Sequence, residues 1–223
     1  MNRRTLMLGA SALGLAAFGG GALYLSRQRA AEAAAAAEAT ASAPPVAEDL
    51  LIRPHSPVLG PPDAKVTLVE FFDPSCEACR AFHPTVMALK DEFPNDLRVV
   101  IRYTPFHEGS DEAVRILGAA RMQGKFDQVT NALLEKQPEW AVDGAPDLDR
   151  AWRVAGAVGL DLEKGMTDRL FPGTTAILNQ DIADVQALGI DATPTFLLQG
   201  RRLVNVTPEG LTAEVRAAVA AAA

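Results

Sequence analysis

Cys76 and Cys79 are the only cysteines of the chain, and they stand three positions apart in the stretch FFDPSCEACRAFHP, residues 71–84. Such a pair supports three chemistries: a redox-active disulfide, half of a metal site, or covalent attachment of haem. Haem attachment needs a histidine directly after the second cysteine, and position 80 is arginine. Two thiolates fill only half of a tetrahedral zinc site. His83 lies four residues beyond Cys79 and could share its helix face, so a copper or zinc site of Cys76, Cys79 and His83 is one alternative to redox work. A passive structural bridge is another.

A redox cysteine reacts as its thiolate, which needs stabilisation of negative charge. The N-terminus of a helix provides it through free N–H groups and the helix dipole. The run KVTLVEFF, residues 65–72, is rich in β-branched and aromatic residues and predicts a buried strand. From Cys76 to about Glu92 the spacing of Phe82, Val86 and Leu89 predicts a helix. Cys76 then sits at the strand-to-helix junction behind Asp73-Pro74-Ser75, exposed and activated, with Cys79 one turn inside and partly buried. In that arrangement the first cysteine attacks and the second resolves the mixed disulfide.

The elements around this junction follow from the same patterns. LRVVIRY, residues 97–103, predicts a second strand after the turn FPND, making a parallel βαβ unit. Helical stripes follow at Val114 and Leu117; at Phe126, Val129 and Leu133; at Leu148, Trp152 and Ala155; and at Leu178, Ile182 and Val185. TFLLQG and RLVNV predict a hairpin turning at residues 199–201. A last helix starts at Pro208 behind a Thr207 cap, with Leu211, Val215 and Val219 on its buried face.

The composition, 48% hydrophobic and 22% charged, is that of a globular chain. A formal net charge of -7 argues against a nucleic-acid partner. At the N-terminus, Arg3 and Arg4 precede an uncharged stretch at residues 6–25. Twenty helical residues span about 30 Å, enough for a bilayer core. Residues 1–29 are therefore expected to be a signal peptide or membrane anchor. Ala39 and Ala41 offer a cleavage site, but the length favours a retained anchor. Residues 30–50 read as an Ala- and Pro-rich spacer. The remainder, residues 51–223, is expected in the periplasm, where disulfides persist, with residues 6–25 anchoring it to the inner membrane.

A strand ending in EFF, a Cys-x-x-Cys opening a helix, and a distant TPTF before a hairpin together resemble the thioredoxin fold. The helical block resembles the insertion of its DsbA-like branch of periplasmic thiol:disulfide oxidoreductases. The resemblance implies an α/β thioredoxin fold over roughly residues 51–223 with a helical insertion at about 107–175. It implies that Pro194 is the cis-proline lying against the disulfide and that the backbone of Thr193 pairs with an extended substrate segment. It further implies that Glu70 is a buried acid shuttling the proton of Cys79; a solvent-facing Glu70 at a strand edge is the alternative. Pro84 corresponds to a helix-kinking proline. The catalytic set is thus Cys76, Cys79, Glu70 and Pro194, with Thr193, Glu77 and Ala78 facing substrate.

The Glu77-Ala78 dipeptide departs from the family's Gly-Pro and Pro-His. Glu77, with Asp73 nearby, adds like charge that disfavours a thiolate. Cys76 is therefore expected to have a higher pKa than in the strong oxidants, and the disulfide to be less oxidising. Thr193 before the proline resembles the reductase and isomerase relatives, and all three directions stay open. No bound cofactor is implied, because the disulfide carries the electrons. The implied partners are cysteine-containing exported proteins and a membrane redox partner that recharges the disulfide. A chaperone-like module that binds peptides without using its cysteines is a further alternative.

Overall fold

The computed structural model describes Arg27, Gln28 and residues 45–223. The expected signal or anchor segment at 6–25 and most of the expected spacer lie outside the described residues. Among the described residues no helix is long and apolar enough to cross a membrane.

Five strands form one mixed sheet: β1 (Val58–Leu59), β2 (Val66–Phe72), β3 (Leu97–Tyr103), β4 (Thr195–Leu198) and β5 (Arg201–Arg202), in the order β1-β3-β2-β4-β5. β2 and β3 are parallel, and the other neighbours are antiparallel. Side chains alternate between the faces of a strand. Val66, Leu68 and Phe72 of β2 accordingly enter the larger core, while Val69 and Phe71 enter a smaller one on the opposite face. Burial on both faces is why β2 reads as an unbroken apolar run. Glu70 shares the alternation of Leu68 and Phe72 and stands opposite Ile101 on β3 and Phe196 on β4.

The helices are α1 (Glu48–Leu51), α2 (Glu77–Glu92), α3 (Ser110–Met122), α4 (Phe126–Glu135), α5 (Gln137–Trp140), α6 (Leu148–Ala157), α7 (Leu162–Asp168), α8 (Pro172–Ala187) and α9 (Pro208–Ala222). Val86 and Leu89 of α2 and Leu211 and Val215 of α9 join the larger core. So do Leu117 of α3, Leu133 of α4, Trp140 of α5 and Trp152 of α6. α9 begins at the expected proline, and its Thr207 Oγ1 accepts from Gly210 N at 3.1 Å. This is the thioredoxin fold with an inserted helical subdomain.

Several details differ from the sequence reading. After the inserted helices, the expected helix of Leu178, Ile182 and Val185 is α8, which ends at Ala187 and reaches back so that Val185 joins the smaller core. On α8 the expected apolar stripe is broken, with Ile182 38% exposed while Asp181 and Asp184 are buried. The buried guanidinium of Arg102 holds both carboxylates and turns that helix face inward. The hairpin turns through Gln199 and Gly200, both at positive φ (51° and 78°), and its second strand is only two residues long. The end of the expected spacer is part of the folded domain: Val46 N donates to Gly200 C=O at 2.9 Å, and Leu51 is buried.

Candidate active site

The loop from β2 into α2 is organised by one buried carboxylate. Asp73 Oδ1 accepts from Ser75 N (2.8 Å) and Ser110 Oγ (2.5 Å). Its Oδ2 accepts from Phe106 N (2.8 Å) and His107 N (3.0 Å), and bonds His107 Nδ1 at 2.7 Å. The first of these is the local turn that Asp-Pro-Ser favours; the others tie in the segment after β3. The Asp73 C=O accepts from Cys76 N at 3.1 Å. From the helical block, Gln137 Nε2 donates to Pro74 C=O (2.8 Å) and Cys76 C=O (2.9 Å). These bonds fix Cys76 as the extended N-cap of α2 (φ −74°, ψ 123°).

Cys76 and Cys79 are not bonded to one another in this structure. Cys76 Sγ donates to Thr193 C=O at 3.2 Å, beside the cis Thr193–Pro194 peptide. That segment covers the sulfur, so Cys76 is only 5% exposed where the sequence reading expects an open position. The Cys79 thiol, then the Thr193 side chain and the backbone N–H groups of Cys79 and Ala78, stabilise the Cys76 thiolate. Against the opposing effect of burial they bring its pKa down to about 5. Cys79 is 0% exposed, and burial first, then the neighbouring Cys76 sulfur, pushes its pKa far up.

The expected opposition of Glu77 and Asp73 to the thiolate is not among the largest influences on the Cys76 pKa. Asp73 is occupied by its donors, and the exposed Glu77 is screened by water.

Glu70 is 2% exposed on β2. Desolvation, reinforced by the charge of Cys76, raises its pKa to about 8, and its own charge acts in turn on Cys79. His83, one turn beyond Cys79 on α2, bonds into the helical block. Its Nε2 bonds Asn131 Oδ1 at 2.6 Å, and it borders a cavity of about 20 Å³ that also touches Glu70. Among the described residues no group of three His, Cys, Asp or Glu side chains is placed to hold a metal ion, so the Cys76–Cys79–His83 alternative lacks its geometry. Glu77 and Ala78 lie with Ser75 and Cys76 along a groove of about 540 Å³, whose other wall includes His107, Glu108 and residues 141–144.

Sequence reasoning missed three contributors: Asp73 as organiser, Gln137, and His107. Partial burial pulls the His107 pKa down, but the Asp73 hydrogen bond and the charges of Asp73, Cys76 and Asp143 outweigh it and raise it. The Asp-Pro turn was a visible signal for Asp73. The other two sit in segments whose local sequence carries none.

Residues 53–217 match the protein family described as Thioredoxin. A thioredoxin-like oxidoreductase from Silicibacter pomeroyi DSS-3 is similar in structure, with a TM-score of 0.68 at 35% identity, over 80% of this chain and 100% of that one. Alpha-DsbA1 of Wolbachia pipientis superposes with a TM-score of 0.69 at 19% identity, over 78% of this chain and 96% of that one. BdbD of Bacillus subtilis gives 0.61 at 21% identity, over 74% and 93%. The sequence is also 33% identical over 166 residues to a Na(+)/H(+) antiporter NhaA from Herminiimonas arsenicoxydans, covering 74% of this chain and 26% of the antiporter. The chain thus spans about a quarter of the length of the curated relatives it matches. With its sheet order, its Cys-x-x-Cys at the head of α2 and its match over residues 53–217, the chain belongs to the thioredoxin family and has the fold of that family's DsbA-like members.

Proposed function

We propose that the chain is a thiol–disulfide oxidoreductase that exchanges a Cys76–Cys79 disulfide with cysteines of exported proteins. The observation that carries this reading is the asymmetry of the pair: Cys76 is brought down to about 5 at a helix N-terminus, while Cys79, one turn in, is pushed far up by burial. In the oxidising direction a client thiolate attacks Cys76 Sγ and Cys79 leaves, taking a proton from the Glu70 carboxyl. A second client thiolate then attacks the client sulfur of the mixed disulfide and releases the Cys76 thiolate. In the reducing direction each step reverses, and the Glu70 carboxylate takes the Cys79 proton. A carboxyl with a pKa of about 8 suits both roles near neutral pH. Pro194 and Thr193 hold the client strand against the sulfur, with Glu77 and Ala78 beside it.

The Cys76 value lies between those of roughly 3.5 for DsbA and roughly 7 for thioredoxin. A more stable thiolate makes a more oxidising disulfide. The potential is accordingly proposed to fall between roughly −120 mV for DsbA and roughly −270 mV for thioredoxin. A periplasmic location and a membrane redox partner that recharges the pair complete the reading. Ion exchange is not carried over from the antiporter relatives, because the chain matches only a quarter of their length.

The test is trapping. In the full chain, Cys79→Ser should accumulate mixed disulfides between Cys76 and client proteins, reversible by dithiothreitol and absent in Cys76→Ser. No adducts with Cys79→Ser would sink the reading. Equilibration against glutathione then checks the potential.

A further inference from the structure

The groove beside Cys76 has a charge pattern that the exchange chemistry does not require. Glu77 at the start of α2, Glu108 after β3 and Asp143 after α5 all line it and are exposed. No Lys or Arg lines it, and Arg80, one turn further along α2, stands outside it. None of the three carboxylates has an ion-pair partner among the described residues. The one basic group in the groove, His107, is held by the buried Asp73. At the groove floor Ser75 is 6% exposed, and its buried Oγ has no hydrogen-bond partner. A buried hydroxyl left unsatisfied is costly within the folded protein. Beside a nucleophilic sulfur it is a ready hydrogen-bond partner for the backbone of a bound segment. Gly144, at φ +70° with nothing within 4 Å of where a Cβ would stand, leaves the rim open.

We propose that this groove selects clients whose reacting cysteine is flanked by lysine or arginine. The inference rests on the exchange reading above. Three unpaired carboxylates around a partly enclosed groove concentrate cations and repel acidic segments, and such steering acts on the rate of encounter. It also opposes a second thiolate approaching Cys76, so a basic side chain beside the client cysteine compensates twice. It attracts the segment, and it lowers the pKa of the client thiol.

The probe is a set of one-cysteine peptides whose cysteine carries thionitrobenzoate as a mixed disulfide, with flanking lysine, serine or glutamate. The dithiol form of the full chain is used. Cys76 attacks, thionitrobenzoate thiolate leaves, Cys79 resolves the peptide–Cys76 disulfide, and two electrons pass from the protein dithiol to the probe. The yellow thiolate reports the rate. At low salt the lysine peptide should react on the order of 10-fold faster than the glutamate peptide, and the ratio should shrink toward one near 1 M salt. The E77Q/E108Q/D143N variant should lose most of the ratio, which cancels any shared change in Cys76 reactivity. Equal rates in the wild type, or a ratio untouched by both salt and the triple substitution, would overturn the selectivity while leaving exchange intact. Release from no peptide at all would overturn exchange and selectivity together.

Discussion

Cys76 and Cys79 carry the same side chain, and their environments drive them apart. Cys76 receives a hydrogen bond from the Cys79 thiol first, then from Thr193 and the helix end, so its thiolate is stabilised. Cys79 is one turn further into apolar packing, where an isolated charge is costly. In the proposed exchange the resolving cysteine needs help with its proton, and Glu70 is the buried acid whose charge acts on Cys79 and which itself feels the charge of Cys76. That arrangement has a stability signature. The Glu70 pKa is raised in the folded protein from an ordinary 4.5 to about 8. Its protonated form therefore supports stability fully below pH 4.5, and that support is lost as pH rises toward 8. Glu70→Gln removes this slope. In urea denaturation of the dithiol form, the stability of the variant relative to wild type should rise by a few kcal/mol between those limits and then level off. A difference that stays flat with pH would mean that Glu70 ionises in contact with water.

At the scale of elements, the inserted helices act on the cysteine loop through Gln137. This residue lies in the short α5, is buried, and serves the carbonyls of Pro74 and Cys76 with one amide nitrogen. Gln137→Ala removes that donor. It should cost about 1–3 kcal/mol in chemical denaturation. It should also move the midpoint of Cys76 alkylation upward from about 5, because the N-cap is no longer clamped. A loss of stability with an unmoved midpoint would reduce Gln137 to packing. Its place was hidden in the sequence because QPEW is a single turn, too short for a hydrophobic period to register. α1 was missed for the same reason, whereas the strand 66–72 and the helix start at Cys76 were legible from a buried run, a turn and a spacing. α8 shows the opposite failure. Leu178, Ile182 and Val185 fit a helical stripe, but the choice between Ile182 and Asp181 for the buried side was made by an arginine on a distant strand.

That arginine belongs to the scale of the whole domain. Arg102 of β3 is fully buried. Its Nε donates to Asp181 Oδ1 at 3.0 Å, its Nη1 donates to the carbonyls of Leu50 (2.7 Å) and Leu51 (3.0 Å), and its Nη2 reaches Asp184. One side chain thus joins the sheet, α8 and α1, with the Phe71 ring 5.6 Å below its guanidinium carbon. The two carboxylates have other partners at the rim: Arg53 bonds Asp184 at 2.7 and 2.9 Å, and His55 bonds Asp181 at 2.9 Å. Removing one member of a buried ion network leaves the others desolvated, which costs about 3–5 kcal/mol. Arg102→Met should show that loss at neutral pH while the folded fraction keeps its alkylation profile at Cys76. The loss also has a pH sign. The Arg53 hydrogen bond first, with Arg102 assisting, holds Asp184 down at about 2, below its ordinary 3.8. The stability this contributes is present above pH 3.8 and is lost as pH falls through about 2. In Arg102→Met the carboxylate has less of that support to lose, so variant and wild type should converge as the pH approaches 2. If the gap between them stays constant down to that pH, Arg102 holds the domain by packing against Phe71 and the α1 backbone rather than by its charge.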